Sequence, residues 1–301
     1  MNILGAIARV TGLTPYIDVY REGTRVPALR RQFEEYIAAK EREISQLKEV
    51  NARQHEFVSR ETKVAPILFN TLPKSGSVFI GKTLAQSIDI EYSEQPMFHG
   101  FFPTYFLIDS AAQRLRLGNI IRQEHFDASA LNINLITRFV DKLVVHVRDP
   151  RQATLSWFHH FDRLQQLHPD GINYTVHQAP PGYGDLSNPE RIDWHIETHL
   201  ASCVNWINDW LHVAEKNKNL PILLTTYEDF LVDKQAFFQR IFDFYGIENA
   251  ANDLAEPAKH IDNNFRSGQK DEWVGVLTER QKKRCAEIIG HTLADRFKWE
   301  L

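Results

Sequence analysis

Cysteine is nearly absent. The chain has two, Cys203 and Cys285, in 301 residues and no C-x-x-C pair. That argues against a disulfide-stapled scaffold and fits a reducing cytoplasm. An excess of positive charge is also missing: 35 Lys and Arg stand against 39 Asp and Glu, for a net charge of −4. No global basic field draws the chain to nucleic acid, so any anion site must be local. The apolar start, residues 1–10, carries Arg9 inside the run and has no basic lead, which argues against a signal peptide. It is too short to span a bilayer and reads better as a short packing helix. Internal repeats and low-complexity segments are lacking too. What is present is ordinary for a globular protein, with 43% hydrophobic and 25% charged residues. The length suits one large domain or two small ones.

Residues 26–60 read as one long helix. Pro27 suits its first turn, and Leu29, Phe33, Ile37, Ile44 and Leu47 form a narrow apolar stripe. Arg30–Glu34, Arg31–Glu35 and Glu49–Arg53 are opposite charges at i,i+4. Two readings stay open: a solvated helix packed on the main domain, or an arm that pairs two copies as a homodimer. The division is therefore an N-terminal helical extension, 1–60, and a main domain, 61–301. In the main domain apolar runs alternate with helical periodicity. Strands are predicted at 66–71, 119–122, 142–147 and 221–227, and helices at 77–88, 153–167 and 230–245. Continuous apolar strands between helices predict an α/β fold with a central parallel sheet covered on both faces. Ligands of such sheets bind beyond the strand C-terminal ends. Residues 168–193 are rich in Pro and Gly and read as a long lid or binding loop.

The stretch T-L-P-K-S-G-S-V-F-I-G-K-T, residues 71–83, overlays two phosphate-binding patterns. From Gly76 it is a literal G-x-x-x-x-G-K-T P-loop, which needs Lys82 and Mg²⁺. From Pro73 it is P-K-S-G-S, which puts Lys74 before the glycine. The first pattern fails on local chemistry. Val78, Phe79 and Ile80 stand where a tight glycine-rich turn should bend, and β-branched residues resist positive φ. A helix that starts at Ser77 places Ile80, Leu84 and Ile88 on one face, with Lys82 more than a turn inside it. Asp149 could pass for an acidic Mg²⁺ ligand, but it lies within Arg148-Asp149-Pro150-Arg151, a cluster suited to a second anion.

With these residues in place, the chain resembles the PAPS-dependent sulfotransferases. Pro73-Lys74-Ser75-Gly76-Ser77 looks like their 5′-phosphosulfate loop. Arg148-Asp149-Pro150-Arg151 with Ser156 resembles their 3′-phosphate motif. Tyr227-Glu228-Asp229 is similar to their adenine-side segment, and Phe265-Arg266-Ser267-Gly268 with Trp273 to their C-terminal element. The resemblance spans residues 66 to 290 and implies a P-loop-like three-layer sandwich. It implies PAPS as the sulfuryl donor, adenosine 3′,5′-bisphosphate (PAP) as product, and no metal requirement. Lys74 would neutralise the bridging oxygen. The N–H groups of Ser75, Gly76, Ser77, Val78 and Phe79 would hold the 5′-phosphate, with the Phe79 ring near adenine. Arg148, Ser156, Arg266 and Gly268, flanked by Phe265 and Ser267, would hold the 3′-phosphate. Tyr227 would face adenine.

The acceptor is expected to be a small molecule that presents a hydroxyl or, second, an amine. Transfer to a hydroxyl needs a base for its proton, for which histidine suits near neutral pH. The resemblance implies a histidine just after a strand between the two phosphate motifs, which points to His125, with Glu124 as the competing base. Gln123 stands where the family's cytosolic branch carries a lysine, and Glu124 replaces the usual hydroxyl residue. These departures keep a non-catalytic nucleotide-binding protein as an alternative, beside a P-loop kinase. His195, His199 and Cys203 fall at i, i+4 and i+8. That spacing could mark zinc, but it fits a wall of the acceptor pocket better. His159 and His160 read as structural. The aromatic segment 98–106 is expected to serve either as an apolar acceptor wall or as core.

Overall fold

The computed structural model describes residues 35–36, 38–42, 45, 64–95, 97–167, 179–248, 250–257 and 268–301. The chain divides into two units, Met1–Ser59 and Arg60–Leu301. In the first unit the described residues are helical. The apolar stripe of the 26–60 helix, Leu29, Phe33, Ile37, Ile44 and Leu47, lies outside the described residues.

The second unit is built on β1 (Ile67–Thr71), which leads into α1 (Ser77–Ser87), as expected. Next come β2 (Glu91–Ser93), a hairpin of β3 (Phe98–Phe101) and β4 (Thr104–Leu107), α2 (Asp109–Ala112) and β5 (Ile120–Glu124). They are followed by α3 (Ala130–Ile136), β6 (Leu143–Val147), α4 (Pro150–Leu167) and α5 (Asn188–His195). The chain closes with α6 (Ala201–Lys216), β7 (Ile222–Thr226), α7 (Tyr227–Val232), α8 (Lys234–Tyr245), α9 (Glu272–Val276) and α10 (Glu279–Phe297).

Five strands form one sheet in the order β2-β5-β1-β6-β7, with every pairing parallel. Side-chain alternation explains the three layers. Leu68, Val145 and Val147 face one core with α4, α6 and α10, through Phe158, Trp206 and Leu293. Ile67, Phe69 and Val144 face a second core with α1 and α8, through Ile80, Leu84, Phe238 and Phe242. Strands buried on both faces are why their sequences run apolar without interruption. The connection from β1 runs through α1 to the edge strand β2, and the chain returns to both sides of β1 as β5 and β6. A crevice therefore opens at the C-terminal end of β1, the topological switch point of the sheet.

Three local expectations need correction. Residues 230–245 are not one helix. The chain breaks at Asp233 (φ −149°, ψ 97°), whose carboxylate caps α8 by accepting the Ala236 N–H at 2.9 Å. Tyr227 is not the end of a strand: Thr226 caps α7, so Tyr227 opens a helix. The stretch 168–193 is not all loop, because a capping box at Ser187 and Glu190 starts α5 within it. Residues 168–178 of that stretch lie outside the described residues. Among the described residues no helix is long and apolar enough to cross a membrane.

Candidate active site

The loop after β1 is shaped by two left-handed residues, Lys74 (φ 66°) and Gly76 (φ 77°). Gly76 also packs closely against Tyr227, where an added Cβ would meet Tyr227 Cε2 at 2.8 Å. Both constraints demand glycine. We expect Gly76→Ala to cost at least about 1–2 kcal/mol in chemical denaturation from the left-handed backbone alone. The same variant should displace Tyr227 from its contacts with Arg148 and Gly268. Ser75 is buried and its Oγ donates to Leu72 O at 2.6 Å, which closes the turn.

α1 starts directly from this loop. No side chain caps it and its first turn holds no acidic residue. The first i→i−4 bond is made by Ile80 N–H to Gly76 O at 3.1 Å. The N–H groups of Ser77, Val78 and Phe79 precede that bond, so they point out of the helix start with the positive end of its dipole. Phe79 is half-buried against Phe230 at 6.1 Å between ring centroids. Lys82 lies elsewhere. Its ammonium pairs with Glu94 at 3.4 Å and sits 5.6 Å over the Tyr92 ring, while Thr83 Oγ1 donates to Phe79 O inside the helix. The P-loop pattern has no P-loop geometry.

The ends of the neighbouring strands converge on this loop. Arg148, just past β6, donates to Lys74 O (2.7 Å) and to Gln269 O (2.6 Å), and its guanidinium lies 4.2 Å over the Tyr227 ring. The Tyr227 hydroxyl donates to Gly268 O at 3.3 Å. Lys74, Gly76, Arg148, Tyr227 and Gly268 are thus brought together from distant parts of the sequence. Ser156 is on the second turn of α4, partly buried. Phe265, Arg266 and Ser267 lie outside the described residues. Asp149 is not free to bind a cation: its carboxylate grips Arg151 (2.7 Å to Nη2), which also donates to Glu300 O and stacks on Trp273 at 3.8 Å. Arg151 is therefore a buried clasp on the C-terminus.

His125 follows β5 immediately. Its Nδ1–H donates to Thr71 O at 2.7 Å, since a carbonyl can only accept. That leaves Nε2 unprotonated, and the Gln123 amide donates to it at 3.2 Å. Burial, Arg122 and Lys74 hold His125 neutral, with its pKa lowered to about 4. The peptide after it is fixed by donors to the Phe126 carbonyl from Asn70 (3.1 Å), Trp206 (2.9 Å) and Trp210 (3.2 Å). Glu124 turns the other way. Its Oε1 accepts from Met97 N (3.1 Å) and pairs with Arg122 at 2.5 Å, while burial raises its pKa. Thr71 and the indole clamp carry no sequence signal of this role, and Gln123 only its place two residues before His125.

The aromatic segment splits between its two expected roles. Phe102 is buried, whereas Phe101 and Phe106 are 43% and 50% exposed. Tyr105 stands 6.5 Å from His125 between ring centroids. His195 and His199 do not meet at one point. His195 Nε2 bonds the Tyr183 hydroxyl (2.9 Å), whereas His199 Nδ1 bonds Thr154 Oγ1 (3.1 Å) and stacks on Trp157 at 5.1 Å. Among the described residues no His, Cys, Asp and Glu cluster could hold a metal. His160 is held by Arg163, which donates to its Nδ1 at 3.0 Å, and it lies within the field of Lys74.

No curated protein sequence matches the chain significantly. Among solved structures, a mouse sulfotransferase complexed with PAP superposes with a TM-score of 0.54 at 16% identity, covering 82% of this chain and 93% of that one. A retinol dehydratase in complex with retinol and PAP gives 0.48 at 15% identity over 79% and 84%. A sulfotransferase from Alicyclobacillus acidocaldarius gives 0.43 at 14% identity over 74% and 95%. At these identities the mouse structure establishes a shared fold. A family model described as the sulfotransferase domain matches residues 65–283, and with that match over most of its length the chain belongs to the sulfotransferase family of enzymes.

Proposed function

We propose that the protein transfers the sulfuryl group of PAPS to a hydroxyl, or second to an amine, of a small-molecule acceptor and releases PAP. The observation that carries this is the convergence of Lys74, Arg148 and Tyr227 on the uncapped start of α1. PAPS presents a 5′-phosphosulfate and a 3′-phosphate, and this crevice offers separate cationic and N–H donors for each. The α1 N–H groups bind the 5′-phosphate. Lys74 offsets charge on the bridging oxygen as the S–O bond breaks. Arg148 and Ser156, closed by Arg266 and the Gly268 backbone, bind the 3′-phosphate. Phe79 and Tyr227 border the adenine.

His125 Nε2 takes the acceptor proton while the acceptor oxygen attacks sulfur in line with the leaving oxygen. Thr71 O, already hydrogen-bonded to Nδ1–H, stabilises the imidazolium that forms. The donor's negative charge offsets the field of Lys74, and so raises the basicity of His125 when the donor is bound. The catalytic unit is 61–301, acting in the cytoplasm without metal or nucleic acid. The 26–60 helix is either a packed extension or a homodimer arm.

The test is sulfation from PAPS across a broad panel of alcohols, phenols and amines, read as PAP release. Sulfated product in the presence of a metal chelator is expected. PAP binding with no acceptor sulfated would support a non-catalytic nucleotide-binding protein instead. Magnesium-dependent ATP binding lost in Lys82→Ala would support a kinase.

A further inference from the structure

His146 lies in the middle of β6, in a run of valines, and is completely buried. The sheet register sets Thr71, His146 and Thr225 in one row across β1, β6 and β7. The imidazole bridges two of the three strands and the donor loop. Nε2 lies 3.1 Å from Ser75 O, and Nδ1 lies 2.9 Å from Thr225 Oγ1. The carbonyl can only accept, so Nε2 carries the proton and Nδ1 accepts from the threonine hydroxyl. Phe69 and Phe237 hold the ring at 5.4 and 5.6 Å between centroids. The His146 carbonyl in turn accepts Leu72 N–H at 2.8 Å.

Each end of this bridge is a short step from a donor-site residue. Ser75 lies between the left-handed Lys74 and Gly76. His146 itself is two residues before Arg148, and Thr225 two before Tyr227. We infer that His146 is a positioning residue for the PAPS site, locking the loop of Lys74 to the strand ends that carry Arg148 and Tyr227. The inference rests on the donor reading above. Its chemistry is specific. A buried side chain must donate to Ser75 O and accept from Thr225, and an apolar residue of equal size leaves both buried polar groups unsatisfied. The Ser75 carbonyl fixes which nitrogen carries the proton, and the Thr225 hydroxyl, donating to the other nitrogen, holds the imidazole in place, so it acts on the loop without touching it.

Calorimetric titration with PAP, paired with urea unfolding, tests the assignment. His146→Leu and Thr225→Val should each weaken PAP about tenfold, the worth of one hydrogen bond. The double variant should lose less than the sum, because the two act through one imidazole. His146→Gln, which keeps a donor and an acceptor, should recover most of the His146→Leu loss. Phe237→Leu, which removes ring packing from the imidazole, Phe230 and Phe238 but neither hydrogen bond, should lower stability and leave PAP affinity unchanged. Should His146→Leu fail to fold, Thr225→Val and Phe237→Leu still decide the matter. Wild-type-like affinity in Thr225→Val, or an equal loss in Phe237→Leu, overturns the inference and leaves the donor reading intact. A wild-type protein that does not bind PAP overturns both.

Discussion

Replacing His125 with alanine lowers kcat for sulfuryl transfer by about 10²–10⁴-fold and leaves PAP affinity intact. The base is the group that removes the acceptor proton, and among the described histidines that feel the charge of Lys74, His125 is the one whose Nε2 is left unprotonated. His160 also feels Lys74, but its Nδ1 accepts from Arg163 and Nε2 carries the proton. Glu124 serves as the control. Its carboxylate is committed to Arg122 and the Met97 N–H, so Glu124→Gln should cost stability and leave kcat within about tenfold. A collapse of kcat in Glu124→Gln with full turnover in His125→Ala would reverse the assignment.

The same histidine gives a pH signature. Its folded pKa is about 4 and its ordinary value 6.5. Between those values the unfolded chain binds a proton that the native state refuses, so stability falls as pH drops from 6.5 toward 4. His146, also lowered to about 4, adds in the same direction. For kcat/KM, the base stays deprotonated in the free enzyme well below neutrality. The acidic limb should therefore follow unfolding rather than a step at pH 6.5. A measured step near 6.5 with the fold intact would contradict this.

Lys74→Ala lowers kcat by about 10²–10³-fold, the usual loss when one charge-stabilising donor is removed. PAP affinity should fall as well, since Lys74 sits in the loop that holds the 5′-phosphate. Its φ of 66° provides an internal control. A non-glycine residue in that conformation stores about 1–2 kcal/mol of strain. Lys74→Gly should relieve it and raise the urea midpoint while losing the same turnover. Activity and stability would then move in opposite directions at one position. A Lys74→Gly enzyme that is both less stable and less active would mean that the backbone there is not strained.

The elements around the proposed donor site were legible in the sequence because they are local patterns. Apolar runs marked β1 and β6, four-residue spacing marked α1, and the bulky Val78, Phe79 and Ile80 ruled out a P-loop turn. The resemblance then joined Lys74, Arg148 and Tyr227, which spacing alone could not bring together. His146 was invisible as a site residue because one histidine in an apolar strand shows nothing of what lies across the sheet. Gln123 read as a departure, and its contact with His125 Nε2 appears only once β5 is placed beside β1. The break at Asp233 is hard to see in the sequence because the apolar period continues on both sides of it. The acceptor pocket was least legible. The hairpin segment that sets Tyr105 6.5 Å from His125 carries no short motif that tells a pocket wall from core.

The most direct test is isothermal calorimetry with PAP in the presence of EDTA. The wild-type protein should bind PAP without metal, and either Lys74→Ala or Arg148→Ala should lose that binding while Lys82→Ala keeps it. PAP binding that survives the removal of both Lys74 and Arg148 would contradict the account.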